Sequence, residues 1–376
     1  MARNRVIYQS EAVYVNQGAA LTGGYNQLNR VQSANYSFSI NRQDINQYGQ
    51  LGKLDSIQLD APTVNADLSY YLSDGFNERA LGFAVQSKGG GYSPTQEGFI
   101  SGHLADSSGR NLIVLTVPEG KDASIPVRTA AGAANSFIGI GNAYLSDYSV
   151  EMSVGAIPTV NVSFDALNIN AADTTVDLPS PAINPVDGSK VAGIQTLPDA
   201  FTGSGDIAAL RPGNITVDIS SFNTSGVANI GTTADGAHIQ SASLSIPMSR
   251  STLERLGSKS AYARSVDFPI VATLSVSAIF NDVETTNLVD IIADESEKNV
   301  DLTLNDEDGV PAVRYHLKGC SLDSQSISSS IGSNKTVDLT FSTSVGGPSD
   351  TTHGVFMSGV TDAAPNNAPV QGEAAP

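Results

Sequence analysis

Apolar residues recur at every second position in many short stretches of this chain, with Ser, Thr, Asn or Asp between them. Val160-Asn-Val-Ser-Phe164, Ser149-Val-Glu-Met-Ser-Val154 and Leu339-Thr-Phe-Ser-Thr343 are examples. A period of two belongs to strands with one face on a core and one in water. Gly, Asn-Gly and Asp-Gly signals punctuate the stretches, and no long amphipathic run occurs, so the pattern predicts an all-β fold of sandwich or barrel type. A hairpin is expected over 99–117, turning at Asp106-Ser-Ser-Gly109. Helix is minor: the helix-compatible pieces are 76–81 and 284–292. Ser251-Thr-Leu-Glu254 has capping-box spacing, and Gly257 stands where a left-handed C′ glycine would. A short helix is therefore expected there, and another over 41–49.

The pattern also repeats. Val31-Gln-Ser-Ala-Asn-Tyr-Ser-Phe-Ser-Ile-Asn-Arg42 returns 208 residues later as Ile239-Gln-Ser-Ala-Ser-Leu-Ser-Ile-Pro-Met-Ser-Arg250, and both run ungapped to a glycine, Gly49 and Gly257. Apolar positions 36, 38 and 40 match 244, 246 and 248. Downstream, Pro62-Thr-Val-Asn-Ala-Asp-Leu-Ser-Tyr70 matches the stretch from Pro269 with a register shift of one. Tyr144-Leu-Ser-Asp-Tyr-Ser-Val150 is aligned with His316-Leu-Lys-Gly-Cys-Ser-Leu322, and Pro158-Thr-Val-Asn-Val-Ser-Phe164 with Lys335-Thr-Val-Asp-Leu-Thr-Phe341. Arg5-Val-Ile-Tyr-Gln and Asn214-Ile-Thr-Val-Asp match more weakly. A period of this length exceeds that of solenoid units and predicts two tandem domains. The first spans 1–168, with an extra glycine-rich stretch at 84–136. An extended linker or arm follows at 169–211, then the second domain at 212–346, and a C-terminal tail at 347–376 expected to be disordered, its end from Asp362 too poor in apolar bulk to pack.

Charge narrows the function. The chain has 38 acidic and 20 basic residues, a net charge of −18. That argues against a reader of nucleic acid that grips phosphate with clustered Lys and Arg. The acid fits either a plain solvated surface or one that stays near DNA without holding it. The single cysteine, Cys320, excludes an intrachain disulfide and suits a small core residue on a strand. Residues 1–20 lack a signal-peptide pattern and no stretch is apolar enough to span a membrane, which places synthesis in a reducing cytoplasm.

Candidate chemistry is sparse, and no catalytic, cofactor-binding or metal-binding residue is assigned. His103, His238, His316 and His353 are scattered and suit surface or strand positions better than ligation. Lys88-Gly-Gly-Gly-Tyr-Ser lacks the ending of a phosphate-binding loop and reads as a loop tip. Asn305-Asp-Glu-Asp-Gly309 breaks the EF-hand spacing and reads as an acidic hairpin turn. Arg42 and Arg250 hold the same place in both copies. Each suits either a contact to a neighbouring subunit or an internal salt bridge or hydrogen bond to a loop carbonyl, and both readings stand open.

Ala34-Asn-Tyr-Ser-Phe-Ser-Ile-Asn-Arg42 and Pro62-Thr-Val-Asn-Ala-Asp-Leu-Ser-Tyr70, with Ser243 to Gly257 and Pro269 to Phe280 in the second copy, resemble tail tube proteins of long-tailed bacteriophages. The resemblance rests on strand-and-turn order and covers most of both domains. It implies two tandem β-sandwich or half-barrel domains, each with a short flanking helix, that pair strands with neighbours around a channel. Because this chain is doubled, it implies homotrimeric rings of pseudo-sixfold shape, stacked into a tube in the virion tail and assembled in the host cytoplasm. The implied partners are other tail proteins (baseplate, terminator, a sheath, a tape measure in the lumen) and DNA in transit, with no membrane insertion. A distal tail or baseplate ring protein of the same fold is the alternative. A tandem glycan-binding module is disfavoured by the absence of Trp, and an enzyme by the lack of any converging nucleophile, base or metal set.

Overall fold

The computed structural model describes residues 11–17, 24–87, 97–104, 109–117, 123, 135–173, 178–184, 186–195, 197, 210, 215–218, 228–229, 238–256, 261–279, 282–283, 297–305, 309–332 and 334–360. The protein is all-β, with two short helices among these residues. The first half is built on β1 (Glu11–Gln17), β2 (Val31–Ser39), β3 (Arg42–Ile45), β4 (Asp55–Gln58), β5 (Thr63–Tyr71), α1 (Phe76–Leu81), α2 (Ser101–Leu104), β6 (Arg110–Thr116), β7 (Ser136–Ser153), β8 (Thr159–Ala166) and β9 (Asn168–Ala172). The second half is built on β10 (Ile215–Asp218), β11 (Ile239–Pro247), β12 (Arg250–Leu253), β13 (Ala263–Val266), β14 (Ile270–Ile279), β15 (Lys298–Asn305), β16 (Pro311–Ser328), β17 (Thr336–Val345) and β18 (Gly354–Val360).

Both halves follow one antiparallel plan. In the first, β2, β5, β8 and the C-terminal part of β7 form one sheet, while β1, β6, the N-terminal part of β7 and β9 form another. In the second, β11, β14, β17 and the end of β16 match the former, and β10, β15, the start of β16 and β18 match the latter. Registers agree as well. Tyr36 faces Ala66 and Leu244 faces Leu274; Val162 faces Tyr148 and Leu339 faces Gln325. Bulges recur at Val31/Ser33 and Ile239/Ser241, and at Ser163/Phe164 and Leu322/Ser324.

The long strands β7 and β16 pass from one sheet to the other at a left-handed residue, Asn142 (φ 53°) and Gly319 (φ 63°). Asn and Gly tolerate that conformation, which bends a strand without breaking its pairing. The apolar faces of both sheets then share one core. Val64, Leu68 and Tyr70 of β5 belong to the same cluster as Val13, Val15, Leu112 and Val114, and Leu274 and Val276 to that of Leu302, Leu304, Val355 and Met357. On the opposite face of β1 and β6, Tyr14, Tyr25, Ile113, Leu115, Phe137 and Leu178 make a second cluster. Covered on both faces, β6 reads as the near-continuous apolar run Leu-Ile-Val-Leu.

Several expectations are corrected. No helix forms at 41–49 or 251–257 within the described residues. Arg42–Ile45 pairs with Asp55–Gln58, and Arg250–Leu253 with Ala263–Val266, as two β-hairpins. The hairpin over 99–117 does not form either: α2 occupies 101–104, and β6 pairs with β1 and β7. The stretch 84–136 is not simply an insertion, because β6 lies within it and holds the core position that β15 holds in the second half. The supposed linker 169–211 begins with the end of β9 and contributes buried Leu178, Ala182 and Leu210. The tail 347–376 includes β18, whose Val355, Phe356 and Met357 are buried; residues 361–376 lie outside the described set. The counterpart of 214–218 is β1 rather than residues 5–9, which lie outside it too. Matched pairing also makes 321–327, not 316–322, the counterpart of 144–150, and aligns β5 with β14 without the one-residue shift. The expected helix at 284–292 and the loop at 88–93 fall outside the described residues.

Candidate assembly surface

The halves join edge to edge. Residues 147–153 of β7 pair with 241–247 of β11, Val150 facing Leu244 and Ser149 facing Ser245. Met248 N–H donates to Ser146 O at 2.9 Å and Val154 N–H to Gln240 O at 2.9 Å beyond the ends of that ladder. The result is a continuous eight-stranded sheet in the order β2-β5-β8-β7-β11-β14-β17-β16. Its two end strands, β2 and the 321–328 stretch of β16, are paired on one side only. Their other edges carry no strand among the described residues.

The halves are tied elsewhere as well. Glu78, on α1, accepts hydrogen bonds at Oε1 from the hydroxyls of Tyr70 (2.9 Å) and Tyr148 (3.4 Å), and Tyr148 meets Tyr315 of the second half at 2.8 Å. Burial, reinforced by Asp74, pushes the Glu78 carboxyl up to about 8 against the opposing effect of these donors. A short segment, Val85–Ser87, pairs in parallel with β18.

One face of the eight-stranded sheet is core. The other is almost wholly small and polar. Its residues include Ser33, Asn35 and Ser37 on β2, Asn65 and Asp67 on β5, Asn161, Ser163 and Asp165 on β8, and Asp147, Ser149, Glu151 and Ser153 on β7. Ser241, Ser243 and Ser245 continue it on β11, Thr273, Ser275 and Ser277 on β14, and Asp338, Thr340 and Ser342 on β17. The face carries carboxylates at Asp67, Asp147, Glu151, Asp165 and Asp338, and neither Lys nor Arg occurs in any of the eight paired stretches. Some carboxylates are anchored by neighbours: Ser163 donates to Asp67 at 2.7 Å and Ser277 to Asp338 at 2.6 Å. Partial burial raises the Asp147 carboxyl above its ordinary range.

Equivalent apolar residues differ sharply in exposure between the joined edges and the open ones. Ile246 on the joined strand and Met248 just beyond it are 1% and 0% exposed; their counterparts, Phe38 on β2 and Ile40 just beyond it, are 61% and 38% exposed. Val150 is 0% exposed on β7, and its counterpart Ile327 on β16 is 45% exposed. Unpaired, apolar edges of this kind are what soluble monomers avoid. The β3–β4 hairpin adds exposed Tyr48, Leu51, Leu54 and Ile57, and the β12–β13 hairpin adds Leu256 and Tyr262.

The residues singled out in the sequence fall as follows. Arg250 reaches across the seam: its guanidinium donates to the carbonyls of His103 (2.8 Å), Arg264 (3.3 Å) and Leu145 (3.4 Å) and lies over the Tyr144 ring. That favours the internal reading for Arg250. Arg42, its counterpart on the open edge, is exposed. Cys320 is buried in β16, where burial pushes its thiol up to about 12. Asn305 and Gly309 flank the hairpin between β15 and β16, with Asn305 opposite Pro311; residues 306–308 lie outside the described set. His316 pairs with Asp301 across that hairpin, and His353 lies near Glu297 and Asp350. His103 is neither a surface nor a strand residue: it is buried in α2, where burial, then Arg110 and Arg250, hold its imidazole well below the usual range. Among the described residues no group of three His, Cys, Asp or Glu could hold a metal ion, and no helix is long and apolar enough to cross a membrane. No known protein family matches the chain, and no curated protein matches it.

Proposed function

We propose that the protein is a self-assembling structural subunit whose eight-stranded sheets join edge to edge into closed rings that stack as a tube for DNA. The observation that carries this reading is the sheet itself. Among the described residues it has two unpaired edges that expose apolar side chains, Phe38 at one and Ile327 at the other, and a polar face that bears carboxylates, with no Lys or Arg in its paired stretches. Edge-to-edge closure buries those edges and removes them from solvent. With the apolar face packed on core, the polar face is left to line the enclosed channel. An acidic lining repels phosphate and denies it the counterion-releasing contacts that hold DNA on basic proteins. Two similar halves per chain suit three chains in a ring of pseudo-sixfold shape. This is the arrangement implied by the resemblance to tail tube proteins, with the virion tail as its setting. Electron micrographs of the concentrated protein should show stacked rings with an axial channel. Monomers only, at high concentration and low salt, would overturn the reading.

A further inference from the structure

We infer that the open edge of β2 in one copy is completed by residues 324–328 of β16 in the next, antiparallel, in the register that β11 holds against β7 within the chain. The inference rests on the assembly reading above and specifies its joint.

The intrachain seam is the template. Its two strands have counterparts at the free ends of the sheet: β11 corresponds to β2 through their matched pairing with β14 and β5. The end of β7 corresponds to the end of β16 through their matched pairing with β8 and β17, bulge included. Transferring the seam residue by residue places Ser37 opposite Ser326, as Ser245 is opposite Ser149. Tyr36 falls opposite Ile327, as Leu244 is opposite Val150, and Phe38 opposite Gln325, as Ile246 is opposite Tyr148.

Side-chain chemistry supports this register. Ser37 and Ser326 continue the small polar face, while Tyr36, Phe38 and Ile327 turn to the core side, where their seam counterparts are buried. A slip of one residue would set Ile327 among the serines and carboxylates, since each single step inverts the faces of a strand. A slip of two preserves the faces but breaks the match with the intrachain seam. The occupant is another copy because the complement to each edge is carried at the other end of the same sheet. The contact is therefore head-to-tail, the kind of interface that closes into a ring when the rotation between copies closes.

Cysteine pairs in the full-length, assembled protein test the register. Directly opposed strand residues lie within disulfide range, and native Cys320 is buried. The variants are S37C/S326C, the shifted pairs S37C/S324C and S37C/S328C, and the intrachain reference S149C/S245C. Each is treated with a mild oxidant and, separately, with a short bis-maleimide, so that disulfide strain cannot conceal proximity. S37C/S326C should give a ladder of covalent multimers on a non-reducing gel, at least ~10-fold above the shifted pairs, and S149C/S245C should cross-link within the monomer. Multimers from a shifted pair, or assemblies in which S37C/S326C joins no chains, would overturn the register while leaving the assembly reading intact. Absence of any assembly in the unmodified protein would overturn the assembly reading itself.

Discussion

Replacing Glu78 by Gln should remove a large part of the pH dependence of folding. The Glu78 side chain is fully buried, and among the described residues its Oε2 has no hydrogen-bond partner. Burial pushes its carboxyl from 4.5 to about 8. Between those values the folded chain keeps a proton that the unfolded chain releases. The stabilisation is therefore whole below pH 4.5 and is lost as pH rises towards 8. At ~1.4 kcal/mol per pH unit, the loss amounts to roughly 5 kcal/mol at most, with water entry and relaxation reducing it. Urea unfolding of wild type and Glu78→Gln at pH 5, 6.5 and 8.5 isolates this contribution, because the other titrating groups are common to both. At pH 5 the variant should be the less stable by about 1–3 kcal/mol, since its amide group buries donors without acceptors. As pH rises the wild type should lose stability relative to the variant and fall below it by pH 8.5. Parallel curves across this range would refute the argument, for they would mean that the carboxyl is hydrated in the folded state.

Three further outcomes follow from the sheet. Arg250→Ala should destabilise the monomer by about 2–3 kcal/mol in urea, through loss of charged hydrogen bonds to carbonyls on both sides of the seam. Arg42→Ala, on the exposed counterpart, should change monomer stability by no more than about 0.5 kcal/mol, and an equal loss would contradict the division between joined and open edges. Phe38→Ser should leave the monomer folded by circular dichroism yet raise the concentration needed for assembly at least ~10-fold, from the lost burial of one large side chain at each joint; unchanged light-scattering onset would count against it. Glu151→Lys with Asp338→Lys should make assemblies retain DNA in a salt-sensitive way, whereas wild-type assemblies release it; equal retention in a filter assay would remove the role given to the acidic face.

Much of the fold was legible because a half-buried strand writes its two faces alternately into the sequence. The β8 stretch Thr-Val-Asn-Val-Ser-Phe and its β17 counterpart were plain for that reason. The hairpins were not. Ile45 and Tyr48, like Leu253 and Leu256, have helical spacing, but all four are exposed at hairpins rather than packed on a core. Strand β6 was hidden because it is covered on both faces, which erases the alternation and leaves a short apolar run inside a glycine-rich stretch. The acidic face was present in the strand phase, but identifying it required knowing which strands share a sheet. The seam between β7 and β11 left no local mark, since pairing partners far apart in sequence are chosen by the tertiary fold. Glu78 gave no signal either, because an acid on a short helix looks like a solvated one until the tyrosines around it are placed.

The most direct test of edge-to-edge closure is a cryo-electron-microscopy reconstruction of the assembled protein that resolves strands and the number of chains per ring. Edge-to-edge closure should show three chains whose eight-stranded sheets run continuously from the end of β16 in one to β2 in the next, with the carboxylate-bearing face towards the axis. A ring with another number of chains, sheets stacked face to face, or β2 edges left open would contradict it.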